Sequence, residues 1–480
     1  MGDVFIGRQK ELNLLRDLWA KQSASLVVIY GRRRVGKSRL AQEFGKDCNF
    51  YFFEGLYPGK GTTNGDQLQA FHQRFEAYFQ DTKHRFFADW LEAFHALSSK
   101  TQTGKVVVLL DEISWMGQYD ANFLGKLKNA WDMDFKQNPN LVLILCGSVS
   151  HWVEQNLLRH EGFYGRISVK LRLQEQPLAD CNQYWTDKDS HISDYEKFKM
   201  LAVTGGIPKY LEEINPKLPA EENIQKLCFM PSGLLFNDYD YIFSSMLERD
   251  SEVYHKIILT LCQHNLLRNE ILDKLDKSSG GLLTSYLDEL YVSGFITRDF
   301  TWNLRTGNFA KLSQYRLSDN YIRFYTKYIR PIVPKIKHTP FSLSSLSALP
   351  NWSGIMRLQV ENLMLNNRQA ILALMSIYPD EVICDGPFFQ RKTTKAKGCQ
   401  IDYLVQTRQG VLYLCEIKFT RTIITTKVID DAAEKLSRIA KPKNMSIVPI
   451  LFYIGDIQDA VLDSQFFGKI IDIRRLLARF

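Results

Sequence analysis

Two hydrophobic periodicities alternate along the first third of the chain. Unbroken apolar runs of strand length stand at Leu26 to Tyr30, Val106 to Leu110 and Leu141 to Cys146, the pattern of strands buried on both faces. Around them the spacing is helical: Leu12, Leu15 and Leu18 precede the first run, and Phe123, Leu127, Ala130 and Trp131 separate the second from the third. Strands alternating with helices predict a parallel sheet covered on both sides, hence an α/β fold. From about residue 178 to 250 the strand signals vanish. Leu201, Tyr210 and Leu211 sit there among polar residues around the breaker Gly205, Gly206, Ile207 and Pro208, which predicts a small helical subdomain.

Residues 251 to 318 carry three helical runs, marked by Ile257, Ile258 and Leu261, by Ile271, Leu272 and Leu275, and by Leu282, Leu283, Tyr286, Leu287 and Leu290. Two extended pieces follow, Phe295 to Phe300 and Gln314 to Leu317; three helices and a hairpin predict a winged helix. The stretch from Pro331 to Pro350 holds four prolines and, after Phe341, many serines, the composition of a linker. A last domain opens near Trp352 with a helix carrying Met356, Val360, Leu363 and Met364, followed by strands at Ile401 to Val405 and Val411 to Ile417. The expected divisions are a sheet domain at 1–177, a helical lid at 178–250, the winged helix and a following helix at 251–330, a linker at 331–350 and a C-terminal α/β domain at 351–480.

Composition agrees with such a chain. At 45% hydrophobic and 24% charged residues it is ordinary globular protein, and a net charge of +8 over 480 residues is too dilute for a nucleic-acid coat, leaving room for local basic patches. No apolar run approaches the roughly 18 residues of a membrane helix, and the first ten residues lack the apolar core of a secretory signal. A cytoplasmic chain with no membrane partner is therefore expected. The eight cysteines show no Cys-x-x-Cys spacing, which argues against a disulfide framework or a structural zinc site.

The chemistry concentrates in two places. Gly31, Arg32, Arg33, Arg34, Val35, Gly36, Lys37 and Ser38 match G-x-x-x-x-G-K-[ST] directly after an apolar strand and at the start of a helix, the context a phosphate loop requires. Gly31 and Gly36 let backbone N–H groups curl around phosphate, Lys37 reaches the β and γ phosphates, and Ser38 offers its hydroxyl to Mg2+. The run Val106 to Leu110 ends in Asp111 and Glu112: Asp111 suits the magnesium water shell, and Glu112 suits a base that orients and deprotonates water for in-line attack. Ser148, after Gly147 at the end of the third run, stands where ligands bind in open α/β sheets. It is either a sensor of the γ phosphate or a simple turn residue.

Taken with Phe5, Ile6, Gly7 and Arg8 and with Thr204 to Pro208, these segments resemble, in order, the signatures of the archaeal-type ATPase family, among the AAA-related, STAND-like P-loop ATPases. The resemblance runs over roughly residues 1 to 330, including Tyr315 to Tyr321. It implies ATP as cofactor, with Phe5 to Arg8 flanking the adenine and Pro208 in the Gly-x-Pro element by which a helical lid touches nucleotide. It also implies Arg166 as a phosphate contact, in cis or from a neighbouring subunit; a surface arginine is the other reading.

In the expected winged helix the third helix carries Asp288 and Glu289 and no Lys or Arg from Gly280 to Gly294, a face that DNA phosphates repel. Lys274, Lys277, Arg298, Arg305 and Lys311 lie on flanking pieces and suit non-specific backbone contact, so the module is expected to serve protein or interdomain packing first. The second chemical site is in the C-terminal domain. Glu416 and Lys418 are two apart in an apolar strand, hence on one face. If Arg408, Gln409 and Gly410 form a three-residue hairpin loop with Gly410 left-handed, Asp402 falls opposite Glu416. Two facing carboxylates make a site for a second divalent metal, with Lys418 beside them to stabilise an attacking hydroxide; a plain strand ion pair satisfies the same spacing.

This pattern resembles the PD-(D/E)xK nuclease superfamily, whose restriction-endonuclease-like domain is often fused to the same ATPase family. The resemblance implies Glu361 as a further acid and metal ligand, although Ile401 stands where the pattern has proline. Arg391, Lys392, Lys395 and Lys397 form a basic loop nearby, suited to a nucleic-acid backbone or to a solvated turn. The reading that joins these parts is an ATP-hydrolysing, nucleotide-gated switch that uses Mg2+ and acts on DNA, bound non-specifically, or on a protein partner. Two others use the same residues: an ATP-regulated metal-dependent DNA nuclease, and a non-catalytic regulator with a degenerate C-terminal domain. Substrate, partner and oligomeric state are not written in these motifs.

Overall fold

The computed structural model describes residues 4–478 apart from 81–85, 149–150, 186–190, 245–250, 276–279, 340, 342 and 393–396; Lys277 and Lys395 lie outside that set. The chain divides into two compact units, Met1–Gln174 and Glu175–Phe480.

In the first unit, β1 (Ser25–Gly31), β2 (Asn49–Glu54), β3 (Val106–Asp111), β4 (Leu141–Ser148) and β5 (Ile167–Leu173) form one sheet of order β2-β3-β4-β1-β5. Every pairing is parallel. The three central strands are the three apolar runs of the sequence. The two edges escaped the pattern: β2 is aromatic and half-covered, and β5 alternates lysine and arginine outward, as edge strands do. Alternate residues Leu26, Val28, Val106, Val108, Leu143 and Leu145 face an aromatic cluster with Trp90, Phe94 and Phe123. Their neighbours Val27, Ile29, Val107, Leu109 and Ile144 are buried too, so both faces of the sheet are covered. Trp90 meets Phe123 edge-on at 5.0 Å and donates its indole N–H to Asn64 at 2.8 Å, which satisfies its polar end inside the core.

The second unit begins with helices at Leu178–Cys181, Asp194–Thr204, Pro208–Leu211, Ala220–Cys228 and Leu234–Ser244, a strand-free stretch among the described residues. The helices Ser251–Leu261, Arg268–Lys274 and Gly280–Val292 follow. With them go β6 (Leu266–Leu267), β7 (Ile296–Trp302) and β8 (Phe309–Leu317), an antiparallel sheet of order β6-β8-β7. On the third helix Asp288 is exposed, but Glu289 turns inward to accept from Tyr254 and from Ser285. The stretch expected as a linker carries a helix at Val333–His338, and Leu346 is buried with its backbone N–H given to Glu221; it is fastened to the helical region rather than open.

The C-terminal sheet is mixed. β9 (Val382–Gln390), β10 (Cys399–Thr407) and β11 (Val411–Phe419) pair antiparallel, and β12 (Ser446–Ile454) and β13 (Lys469–Asp472) extend it in parallel. The order is β13-β12-β11-β10-β9, and the helix Lys427–Arg438 makes the crossover from β11 to β12. Two seams lock this sheet to the preceding elements. At one, Thr301 donates to the Phe389 carbonyl at 2.7 Å and the Trp302 indole donates to Gln406 at 2.8 Å; Trp302 and Leu304 share a core with Phe388 and Leu404. At the other, the helix Trp352–Asn366 buries Gln359 and Asn362 against Asn320, Arg316 and Arg323. Asn362 accepts from Arg316 and donates to the Leu317 carbonyl and Asn320, while Gln359 accepts from Arg323 at 2.9 Å. Burial pulls the Arg323 guanidinium down to about 10.

Candidate functional site

The phosphate-loop residues gather at the carboxyl ends of β1, β3 and β4. Gly31 pairs with Ser148 in the β1–β4 register. The tight spot is on its other side, where an added Cβ would stand 2.4 Å from the Leu173 carbonyl oxygen of β5; close approach of the strands, as well as phosphate geometry, requires glycine here. Arg34 and Gly36 take left-handed backbone at φ 68° and 89° and open the helix Lys37–Phe44. Lys37 is buried and folds back, its ammonium 3.2 Å from the Gly31 and Arg32 carbonyls. Ser38 donates to Asp111 at 2.5 Å, so the two side chains expected around magnesium are adjacent. Glu112 has left-handed backbone, φ 46°, a strained setting that functional positions favour. One of its oxygens accepts from the Ser148 hydroxyl at 3.3 Å, and the other is buried without a hydrogen-bond partner. The hydroxyl, the two carboxylates and the lysine fit a hydrated Mg2+ and a triphosphate.

One residue beside this site escaped the sequence reading. Glu54 ends β2 in register with Asp111, and burial, then the Asp111 and Glu112 charges, raise its carboxyl above the usual range; it was missed because β2 was. Arg8 was expected near adenine. Its guanidinium joins two backbone carbonyls, Val35 within the loop at 3.1 Å and Gln174 past the end of β5 at 2.5 Å, so it clamps the phosphate loop to the edge strand. Arg166 requires a correction. It precedes β5, whose first residue Ile167 pairs with Leu26 near the start of β1, so the length of a strand, about 20 Å, separates it from the loop after Gly31. A phosphate contact within the same chain is thereby excluded. Two arms of Arg166 grip Asp132, at 2.8 to 3.1 Å, and hold that carboxyl below the usual range. Pro208 belongs to the second unit. It opens the helix Pro208–Leu211 after Gly206, whose N–H is given to Glu175 and whose carbonyl accepts from the Gln176 N–H.

The C-terminal residues form a second constellation. β10 and β11 pair Tyr403 with Cys415 and Gln406 with Leu412. Continued one step, that register sets Asp402 opposite Glu416, around a loop closed by the left-handed Gly410, φ 76°. Glu361, on the helix Trp352–Asn366, joins them; burial, then the Asp402 charge, push its carboxyl up to about 8. Every acid here has a cation beside it. Arg357 lies 3.3 Å from Glu361, and Lys418 lies 3.0 Å from Glu416 and 3.1 Å from Asp431. Lys435, which the sequence reading missed, stands 2.7 Å from Glu416 and 3.5 Å from Asp402. Its signal was present: Val428 and Ala432 are the buried stripe of the helix Lys427–Arg438, and Lys435 falls on the same face by helical spacing. Among the described residues, no three acidic, histidine or cysteine side chains are arranged to hold a metal ion. A divalent ion does not fit this second site as its side chains stand.

A five-stranded parallel sheet of this order, with a glycine-rich loop between β1 and a helix and acids ending β3, defines a P-loop nucleoside-triphosphatase domain. The family described as an ATPase domain predominantly from Archaea matches residues 5–214, and through this region the chain belongs to it. Over 354 residues, 72% of its length, the chain is 25% identical to an uncharacterized protein of Methanocaldococcus jannaschii, covering 73% of that protein. A stretch of 41 residues, 8% of the chain, is 44% identical to an uncharacterized ATP-binding protein of the same organism and covers 70% of it. The Walker-type ATPase PABY2304 of Pyrococcus abyssi aligns with 67% of this chain and 96% of its own at a TM-score of 0.50 and 17% identity, a likeness of fold. No helix among the described residues is long and apolar enough to cross a membrane.

Proposed function

We propose that this chain binds ATP with Mg2+ at the loop of residues 31–38, hydrolyses it slowly, and works as a nucleotide-gated switch on DNA or a protein partner. The observation that carries this reading is the meeting of Lys37, Ser38, Asp111, Glu112 and Ser148 at one end of the sheet. Lys37 exchanges its two carbonyl contacts for the β and γ phosphates, a stronger charge-assisted pairing. Ser38 and Asp111 hold the hydrated metal, which when bound neutralises phosphate charge. Glu112 takes the proton of the attacking water, with Ser148 fixing the carboxylate until the γ phosphate competes for that hydroxyl. Arg166 contacts phosphate in this reading from a neighbouring subunit, after release from Asp132.

The C-terminal domain is read as nuclease-like, on the facing of Asp402 and Glu416 with Lys418 beside them. The winged-helix region serves as a packing module: the end of its hairpin is occupied by Phe388, Phe389 and Gln406, and its third helix presents Asp288. The test is equilibrium binding of labelled ATP, with phosphate release and plasmid nicking followed in Mn2+. Lys37→Ala is expected to abolish ATP binding in a folded protein. Unchanged affinity in that variant rules the site out, and nicking that disappears in Asp402→Ala favours the nuclease over the switch.

A further inference from the structure

Asp402 and Glu416 converge on one point, and that point holds an ammonium. The Asp402 Oδ2 and Glu416 Oε2 atoms lie 3.5 and 2.7 Å from the same Lys435 Nζ, while the other Glu416 oxygen is taken by Lys418 at 3.0 Å. Both lysine side chains are largely covered and Glu416 is 5% exposed, so the pair is poorly screened by bulk counter-ions and carries its own cation. A carboxylate pair aimed at a common cation is the donor set for a divalent ion. An ammonium and a hydrated divalent ion cannot share that space, and like charges there repel. Lys435 has somewhere to go: it borders an open pocket of about 390 Å³ lined also by Arg357, Lys418, Asp431, Glu434 and Arg438, and its long stem can carry the charge to the rim, where it would share Asp431 with Lys418 or Glu434 with Arg438.

Resting on the nuclease-like reading of this domain, we propose that Lys435 is a displaceable internal counter-ion that stands in the divalent-metal position between Asp402 and Glu416 and keeps the site closed to metal until it swings out. Metal and lysine are then competitors, and whatever draws Lys435 outward opens the site by the same factor that metal binding releases the lysine.

The experiment uses the nucleotide-free full chain titrated with Mn2+, reading free ion by electron paramagnetic resonance and melting temperature in parallel. Lys435→Met is expected to bind Mn2+ tighter than wild type by about tenfold or more, with the gain lost when Asp402→Asn is added. Lys435→Arg, which keeps a cation, is expected to show no gain. Removing the lysine leaves two carboxylates facing each other, so Lys435→Met melts earlier without metal; Mn2+ is expected to restore it by more than it shifts wild type. Wild type binding Mn2+ through Asp402 as tightly as Lys435→Met, or a Lys435→Met melting curve that Mn2+ does not move, overturns the counter-ion role. No Asp402-dependent Mn2+ in any variant overturns the nuclease-like reading as well.

Discussion

Glu112 has one carboxylate oxygen on Ser148 and the other buried without a hydrogen-bond partner. Such an oxygen is costly to keep, and the proposed reaction gives it a partner in the attacking water. Glu112→Gln retains shape and removes the base. It is expected to bind ATP at wild-type affinity while phosphate release falls by about a hundredfold or more, checked by single-turnover hydrolysis; wild-type turnover moves the base elsewhere. His255 offers a pH test away from either site. It stacks on Tyr239, whose hydroxyl lies 2.8 Å from Nδ1. Burial, then the Arg330 charge, hold its imidazole down at about 4 against the ordinary 6.5, with Asp240 pulling the other way. The folded protein keeps it neutral while the unfolded chain takes a proton below 6.5. Its contribution is therefore intact above that pH and is lost as pH falls toward 4, on the order of 1–2 kcal/mol after allowing for partial exposure. The melting temperature should fall less between pH 7 and 4.5 in His255→Phe than in wild type. The phosphate-loop residues were legible because a local motif brings its own backbone; Lys435 and Glu54 were not, because their partners lie on other elements of the fold.

The hairpin of β10 and β11 and the helix Trp352–Asn366 show what pattern can and cannot tell. A three-residue loop with a left-handed Gly410 fixes register by local geometry, so the facing of Asp402 and Glu416 was readable from spacing alone. The helix read as apolar through Met356, Val360, Leu363 and Met364, yet Gln359 and Asn362 are as buried as those residues. Their burial follows from polar partners on Asn320, Arg316 and Arg323, which no periodicity records. Asn362→Leu leaves Arg316, Asn320 and the Leu317 carbonyl short of partners. It is expected to destabilise residues 175–480 by about 3 kcal/mol, measured by urea unfolding; a loss under about 0.5 kcal/mol, as at an ordinary surface site, rules the network out as a structural clasp.

The same seams govern how the chain can be cut. A fragment starting at 351, the boundary that composition suggests, strips Phe388 and Gln406 of Trp302, and Gln359 and Asn362 of Asn320 and Arg323. A fragment of 175–480 keeps every one of these contacts. We expect the longer piece to unfold cooperatively by calorimetry and the shorter to be insoluble or to melt without a cooperative transition; a cooperative transition in 351–480 alone restores the composition boundary.

By itself the amino-acid sequence determined the parts whose cause is local: three buried central strands, the loop at 31–38, the acids that end β3 and the hairpin register. Hydrophobic period and turn chemistry act over a few residues, and these features need no more than that. Tertiary structure decided the rest. Parallel strand direction put Arg166 at the far end of the sheet from the loop, because Arg166 precedes β5 while the loop follows β1. Packing set Lys435 against two carboxylates, joined the hairpin end at Trp302 to β9, and fastened the serine-rich stretch through Leu346. Each of these depends on groups far apart in sequence meeting in one low-dielectric place, where a charge must find a partner.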